Sequence, residues 1–117
     1  MTTIDFTDNA RQDLADIHTF QTFVQKIPVE IADNINISIL KKSSFLLANL
    51  PYSGKAYGWQ GDDEIWTIAI LKKYMVFYHY DLKQETVSIL HIFCTLMDDK
   101  VLHQKLEEEG IVKHIWR

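Results

Sequence analysis

The fold is decided by one stretch, EIWTIAILKKYMVFYHYD, which runs from Glu64 to Asp81. Apolar and aromatic side chains fill it on both sides of a single break at Lys72 and Lys73. Successive side chains of a strand point to opposite faces, so a strand that is apolar at both parities is covered by other structure. The stretch therefore predicts two strands of a sheet, the second of them central. A Lys-Lys pair does not favour a tight primed turn, so we expect a loop of more than two residues between the strands.

A later run, TVSILHIF, is again rich in apolar residues. It predicts a third antiparallel strand in a meander. The predicted strands of this meander are Glu64–Leu71, Tyr74–Asp81 and Thr86–Phe93. The preceding loop holds three of the four glycines and has room for a short strand at Tyr57–Gln60.

Two helices are predicted before the sheet, after a short alternating strand at Thr2–Thr7. Asp8 is a good N-cap for the first helix, which we expect to end near Pro28. Apolar residues at spacings of three and four form one stripe of this amphipathic helix: Ala10, Leu14, Ile17, Phe20, Val24 and Ile27.

The second helix is the ambiguous element. Asn34–Leu40 alternates with period two, which also suits a strand. The apolar residues that follow favour a helix over about Val29–Leu50, interrupted near Ser43 and Ser44 and stopped by Pro51.

The chain end is predicted to be helical from about residue 98, because Asp98 and Asp99 suit a first turn and Gly110 suits a C-cap. The tail from Ile111 to Arg117 is apolar enough to pack on the domain or on a partner.

At 117 residues the chain predicts one α+β domain, 1–117, in the order β-α-α-β-β-β-β with a C-terminal helical extension over about 98–117. The helices are expected on one face of a small antiparallel sheet.

The composition restricts the kinds of partner and cofactor that are expected. The net charge is −4 and no segment is basic, which argues against nucleic acid as the main partner. Cys94, the single cysteine, lies in an apolar run and is expected as a buried free thiol that suits a reduced cytoplasm. We find neither a secretory signal nor a stretch of about 20 apolar residues, so no membrane association is expected. The histidines lack metal-ligand spacing and no nucleotide-binding motif occurs, so no metal and no cofactor are predicted.

Four segments, taken in order, carry a resemblance to a known family. They are FTDNARQDLADIHTF, ADNINISILKKSSFLLANLPYSGK, YMVFYHYD and VSILHIF, and they extend from about Ile4 to Thr95. The chain resembles the RelE/ParE toxins of bacterial type II toxin–antitoxin systems. The resemblance implies a compact sheet covered by two N-terminal helices, and a cognate antitoxin whose helical or extended segment lies along the toxin.

The resemblance implies two activities that use different chemistry. RelE-like toxins cut messenger RNA on the ribosome, which requires an acid, a base and cations around the phosphate. At the positions where those toxins carry arginines and a histidine, this chain has Trp66, His91 and Cys94. ParE-like toxins instead bind DNA gyrase and need no catalytic residues. The replacement of the nuclease residues in this chain therefore favours the ParE-like branch.

Several residues are candidates for a site. His91 is a candidate acid or base only if the protein is a nuclease, and a satisfied histidine at the sheet edge is the simpler interpretation. Lys55, Lys72 and Lys73 are candidates for binding the target or a phosphate, although lysines in turns and loops are commonly only solvated. The three tryptophans are candidate interface anchors, because tryptophan is enriched at interface hot spots: Trp59, Trp66 and Trp116.

The sequence thus supports a toxin with gyrase as its favoured target, a ribosome-dependent endonuclease, or a remnant that keeps only antitoxin binding. Its oligomeric state is left open.

Overall fold

The computed structural model describes residues 2–113 and has the expected α+β architecture. Four helical segments occur in this range: α1 (Asp8–Thr19), a π-helical turn that extends it (Phe20–Val24), α2 (Val29–Asn49) and α3 (Asp99–Glu108). Six strands form one sheet: β1 (Thr3–Phe6), β2 (Lys55–Gln60), β3 (Asp63–Ile70), β4 (Tyr74–Asp81), β5 (Thr86–Cys94) and β6 (Ile111–Lys113).

The sheet order is β1-β5-β4-β3-β2-β6, so the predicted meander forms its centre. The three central strands lie within one residue of their predicted bounds. The sheet is mixed rather than purely antiparallel, because β1 pairs in parallel with β5 from Thr3 opposite Thr86 to Phe6 opposite Ile89. The turn between β3 and β4 spans Leu71–Lys73, and Leu71 and Lys72 have positive φ, which confirms a loop wider than two residues.

The predicted helical hairpin is confirmed, with corrections at three points. Thr7, not Asp8, is the N-cap, because its side chain accepts a hydrogen bond from the amide of Ala10 at 3.3 Å. Helix α2 runs without interruption through Ser43, which is fully buried. Residues 34–40 are helical, so the strand alternative is wrong. The buried residues of α2 are Ala32, Ile39, Ser43 and Leu47, which share one helical face.

The sheet is covered on both faces by separate apolar cores. Ile17 of α1 and Ile39 and Leu47 of α2 pack against one face, together with the alternate β4 residues Tyr74, Val76 and Tyr78. The opposite face of β4 presents Phe77, which packs with Leu102 and Leu106 of α3. The expectation of helices on one face holds for α1 and α2, whereas α3 lies on the other.

The C-terminal segment is only partly helical, which corrects the predicted helical extension. Helix α3 ends at Glu108, Gly110 adopts a φ of 73°, and Ile111–Lys113 returns to the sheet as β6 beside β2. Ile111 is buried in the α3-side core, so the start of the tail packs on the domain. The remainder, with Trp116, falls outside the residues that the structure describes. No helix within residues 2–113 is long and apolar enough to cross a membrane.

Candidate functional site

The site begins where β1 stops covering the edge of β5. Pairing with β1 ends at Ile89, where the amide and the hydroxyl of Thr7 donate to the Ile89 carbonyl at 3.1 and 2.9 Å. Beyond this point the β5 backbone needs another partner. Asp13, one and a half turns into α1, supplies it: its Oδ2 accepts from the amide of Ile92 at 3.0 Å.

His91 shares the carboxylate of Asp13. The histidine is 4% exposed, and its Nδ1 lies 2.8 Å from Asp13 Oδ2. An ionised carboxylate only accepts hydrogen bonds, so Nδ1 carries the proton. Nε2 is buried and has no hydrogen-bond partner among the described residues, and Glu109 Oε1 lies 3.8 Å from it. Only one of the two ring nitrogens of His91 therefore has a hydrogen-bond partner among the described residues. The ring lies under α3 rather than at a free sheet edge.

Helix α3 closes the cluster from the opposite side. Lys105 donates from Nζ to Asp13 Oδ1 at 2.7 Å and to Asp16 Oδ2 at 3.3 Å. Glu109 accepts a hydrogen bond from Asn9 Nδ2 through its side chain, and from Gln60 Nε2 at 2.8 Å through its carbonyl. The cluster thus connects α1, β2, β5 and α3.

Electrostatics favour the ionised pair of Asp13 and Lys105. Burial alone would raise the pKa of Asp13, but hydrogen bonds from His91, Lys105 and the Ile92 amide outweigh it, so this pKa lies below its ordinary value. Burial alone would lower the pKa of Lys105, but its contacts with Asp13 and Asp16 raise it above the usual range. Each group holds the other in its charged form.

The small cavity beside this cluster has a volume of about 160 Å³. It is lined by four carboxylates, Asp13, Asp16, Glu108 and Glu109, against the single ammonium group of Lys105 and the imidazole of His91. A phosphodiester brought here would face an excess of negative charge, whereas cleavage chemistry requires cations where charge develops. The arrangement suits a structural ion pair better than a nuclease centre.

This pairing makes stability depend on pH in a definite direction. Because folding lowers the pKa of Asp13, its contribution is complete above the unfolded value of about 3.9 and is lost as the pH falls through the native value. We expect the free energy of unfolding of Asp13→Asn to differ most from that of wild type above about pH 5, and the difference to shrink progressively as the pH falls below about 3.9. Urea unfolding at several pH values would measure this, with Asp33→Asn as the control. A difference that stays constant down to pH 3 would contradict the assignment.

The predicted cationic residues lie elsewhere. Lys72 and Lys73 occupy the β3–β4 turn, and both are exposed. Lys55 begins β2 and lines a recess between β3 and α2. None of the three lines the cavity beside His91, so the structure separates the candidate acid–base residue from the candidate phosphate-binding lysines.

The described tryptophans differ in their surroundings. Trp66 packs against the α1–α2 core, and its ring meets Tyr52 edge-on at 6.0 Å. Trp59 on β2 is partly exposed and lies near the sheet edge opposite Val112. Their interface roles remain predictions.

Two further expectations concern sulfur and metal chemistry. Cys94 is a buried free thiol, as expected. Over the range 2–113, the structure brings together no group of three or more histidine, cysteine or acidic side chains that could hold a metal ion.

Sequence reasoning missed both Asp13, the partner of His91, and Lys105, which pairs with Asp13 in turn. Asp13 is 78 residues away and Lys105 lies 92 residues beyond Asp13. An aspartate on the apolar stripe of α1, one residue before Leu14, was the only available signal.

Fold and site together define a class: a small sheet covered by an N-terminal helical hairpin, with an ion pair of Asp13 and Lys105 beside a buried histidine. The family of the ParE toxin of the type II toxin–antitoxin system parDE matches residues 4–99. The chain therefore belongs to this family, and the match spans nearly the same residues as the resemblance in the sequence.

Solved structures show the same fold. One is the toxin–antitoxin complex RelBE2 from Mycobacterium tuberculosis, with 23% identity, a TM-score of 0.56 and coverage of 80% of this chain and 90% of that one. Another is the chromosomal ParDE toxin–antitoxin system from P. aeruginosa, with 17% identity, a TM-score of 0.63 and coverage of 80% and 96%. Among curated protein sequences, none is a significant match.

Proposed function

We propose that this protein is the toxin of a type II toxin–antitoxin pair, that it arrests growth when free, and that a cognate antitoxin neutralises it in the cytoplasm. Membership of the ParE toxin family supports the proposal. Two structures with the same fold are toxin–antitoxin systems by their descriptions.

The favoured mode of action is inhibition by protein–protein contact, with DNA gyrase as the target. The observation that carries this preference is the acidic surrounding of His91, whose cavity holds four carboxylates and one lysine. An inhibitor that acts by binding needs no acid, base or phosphate-binding cation, so such a cluster is free to serve stability alone.

One observation favours a second candidate, a ribosome-dependent messenger-RNA endonuclease. Asp13 orients His91 through Nδ1 and leaves Nε2 without a partner among the described residues, which is how a carboxylate prepares a histidine for acid–base catalysis. For this chemistry the ring would have to become accessible, because His91 is buried and Glu109 Oε1 lies 3.8 Å from Nε2.

Induced expression without the antitoxin tests the proposal. We expect growth to stop, and co-expression of the antitoxin to restore it. Purified protein is expected to abolish supercoiling by gyrase in vitro, while primer extension finds translated messages intact. Cleaved messages with unaffected supercoiling would favour the endonuclease. Undiminished growth at high expression would contradict both active functions and favour a remnant that only binds its antitoxin.

A further inference from the structure

The helical hairpin departs from its own apolar pattern at the turn between its two helices. In the sequence Val24 continues the apolar stripe of the first helix, but in the structure Val24 is 66% exposed, whereas Gln21 is fully buried. The cause is the π-helical turn, in which the amide of Gln25 donates to the carbonyl of Phe20 at 3.1 Å. A π-helical turn holds one residue more than an α-helical turn, so the residues that follow are rotated out of the stripe.

This local arrangement destabilises the folded chain in two respects. Gln21 donates from Nε2 to the hydroxyl of Tyr74 at 2.9 Å, but its buried Oε1 has no hydrogen-bond partner among the described residues. Lys26 has a φ of 58°, in the left-handed region that favours glycine. Such features persist where function requires them and concentrate at sites of interaction or catalysis. The turn of the hairpin is therefore a candidate interaction site.

The same turn carries a concentration of exposed apolar side chains. Phe23 and Val24 of the π-helical turn, and Val29 and Ile31 of the first turn of α2, are each between 51% and 71% exposed. We call these four residues the hairpin-tip patch. Single apolar residues on a surface need no explanation, but several at one end of a hairpin are typical of a protein–protein contact.

The charged residues at the patch favour a second copy of this chain as its partner. Lys26 and Glu30 lie in the same segment, both are exposed, and neither forms an ion pair among the described residues. When a surface meets itself across a two-fold axis, each residue contacts the counterpart of its own contact. A patch with one cation and one anion can therefore pair both charges with an identical patch, whereas a partner of one strong charge would oppose one of them.

We propose that two copies of this chain associate through their hairpin-tip patches into a two-fold symmetric dimer, with Lys26 of each copy beside Glu30 of the other. The apolar side chains of the two patches would cover each other, which removes them from water. Because the patch is small, we expect a dissociation constant of roughly 10–100 μM. The inference does not depend on the proposed function, since it concerns the free protein.

Sedimentation velocity on the purified full chain tests the proposal. Between about 1 and 500 μM we expect the protein to pass from monomer to dimer. Phe23→Ser/Val24→Ser should weaken dimerisation at least about tenfold. The matched control is Leu82→Ser/Leu96→Ser, which changes two equally exposed apolar side chains in the turns after β4 and β5 and should dimerise as wild type. All four side chains are exposed, so both variants should fold.

Exchange of the two charges gives a second test that leaves the apolar surface intact. Lys26→Glu and Glu30→Lys each place like charges opposite one another in the dimer and should weaken it about threefold or more. The double variant Lys26→Glu/Glu30→Lys restores opposite charges and should regain dimerisation close to that of wild type.

Three results would overturn the proposal: a protein that stays monomeric at about 500 μM, a dimer that Phe23→Ser/Val24→Ser leaves intact, or single charge variants that the double variant does not rescue. If the free protein is monomeric and Phe23→Ser/Val24→Ser instead loses binding to the antitoxin, the patch belongs to that interface and a second copy is the wrong occupant. None of these results bears on whether the protein arrests growth.

Discussion

Replacing Asp13 by alanine is expected to lower the free energy of unfolding by about 3–5 kcal/mol, as breaking a buried ion pair does. The substitution removes the acceptor for His91 Nδ1, the Ile92 amide and Lys105 Nζ at once. The first two donors are buried and would lose their partner without gaining water. Urea unfolding at pH 7, followed by circular dichroism, measures the change.

The chain offers a matched control for this variant. His18 and Asp33 form a second Asp–His contact at 2.7 Å, with side chains 32% and 55% exposed, against 5% and 4% for His91 and Asp13. Asp33→Ala should therefore cost only about 0–1 kcal/mol. Equal losses in the two variants would show that burial and the shared contacts of Asp13 do not matter, and would contradict the structural role assigned to the cluster.

Replacing Gly58 by alanine is expected to separate β6 from β2. A Cβ at this position would lie 1.8 Å from the carbonyl oxygen of Val112 and 2.8 Å from the Cα of Lys113. Both atoms belong to the backbone, so no side-chain rotation relieves the clash and the strand itself has to move. Ile111 would then leave the core that it shares with Leu106. We expect a loss of about 1–3 kcal/mol, the range for overpacking.

Hydrogen exchange distinguishes this local event from general loss of stability. In Gly58→Ala the amides of Ile111–Lys113 should lose protection while those of β4 keep theirs. Ala56→Val adds volume to an exposed position of the same strand and should leave β6 protected. Retained protection of β6 in Gly58→Ala would contradict the close approach of the two backbones.

The elements that were predicted correctly have strong local patterns. The run from Glu64 to Asp81 is rich in apolar residues on both sides of a short break, and both predicted strands formed. The stripe of α1 repeats at helical spacing, and α1 formed with Ala10 and Ile17 buried. Such patterns are contained within windows of about 11–18 residues. They indicate the same helix or strand in any fold that buries their apolar side chains.

Weaker patterns left one element ambiguous and another one wrong. Asn34–Leu40 satisfied two periodicities, and burial against the sheet decided for the helix. Strand β6 has only three residues, and its pairing with β2 depends on the small size of Gly58. Gly110 indicated the end of the preceding helix, but no local pattern indicated that the three residues after it form a strand.

The periodicity of the chain was sufficient for the class of fold and the central strands, because both follow from neighbouring residues. The family resemblance rests instead on four segments taken in order. The cluster around Asp13 arose only on folding. His91 and Lys105 lie 78 and 92 residues from Asp13, and the pairing of β2 with β3 starts only at Lys55 opposite Thr67. Contacts over such separations depend on how the strands are ordered and where each pairing ends, and no local pattern encodes either.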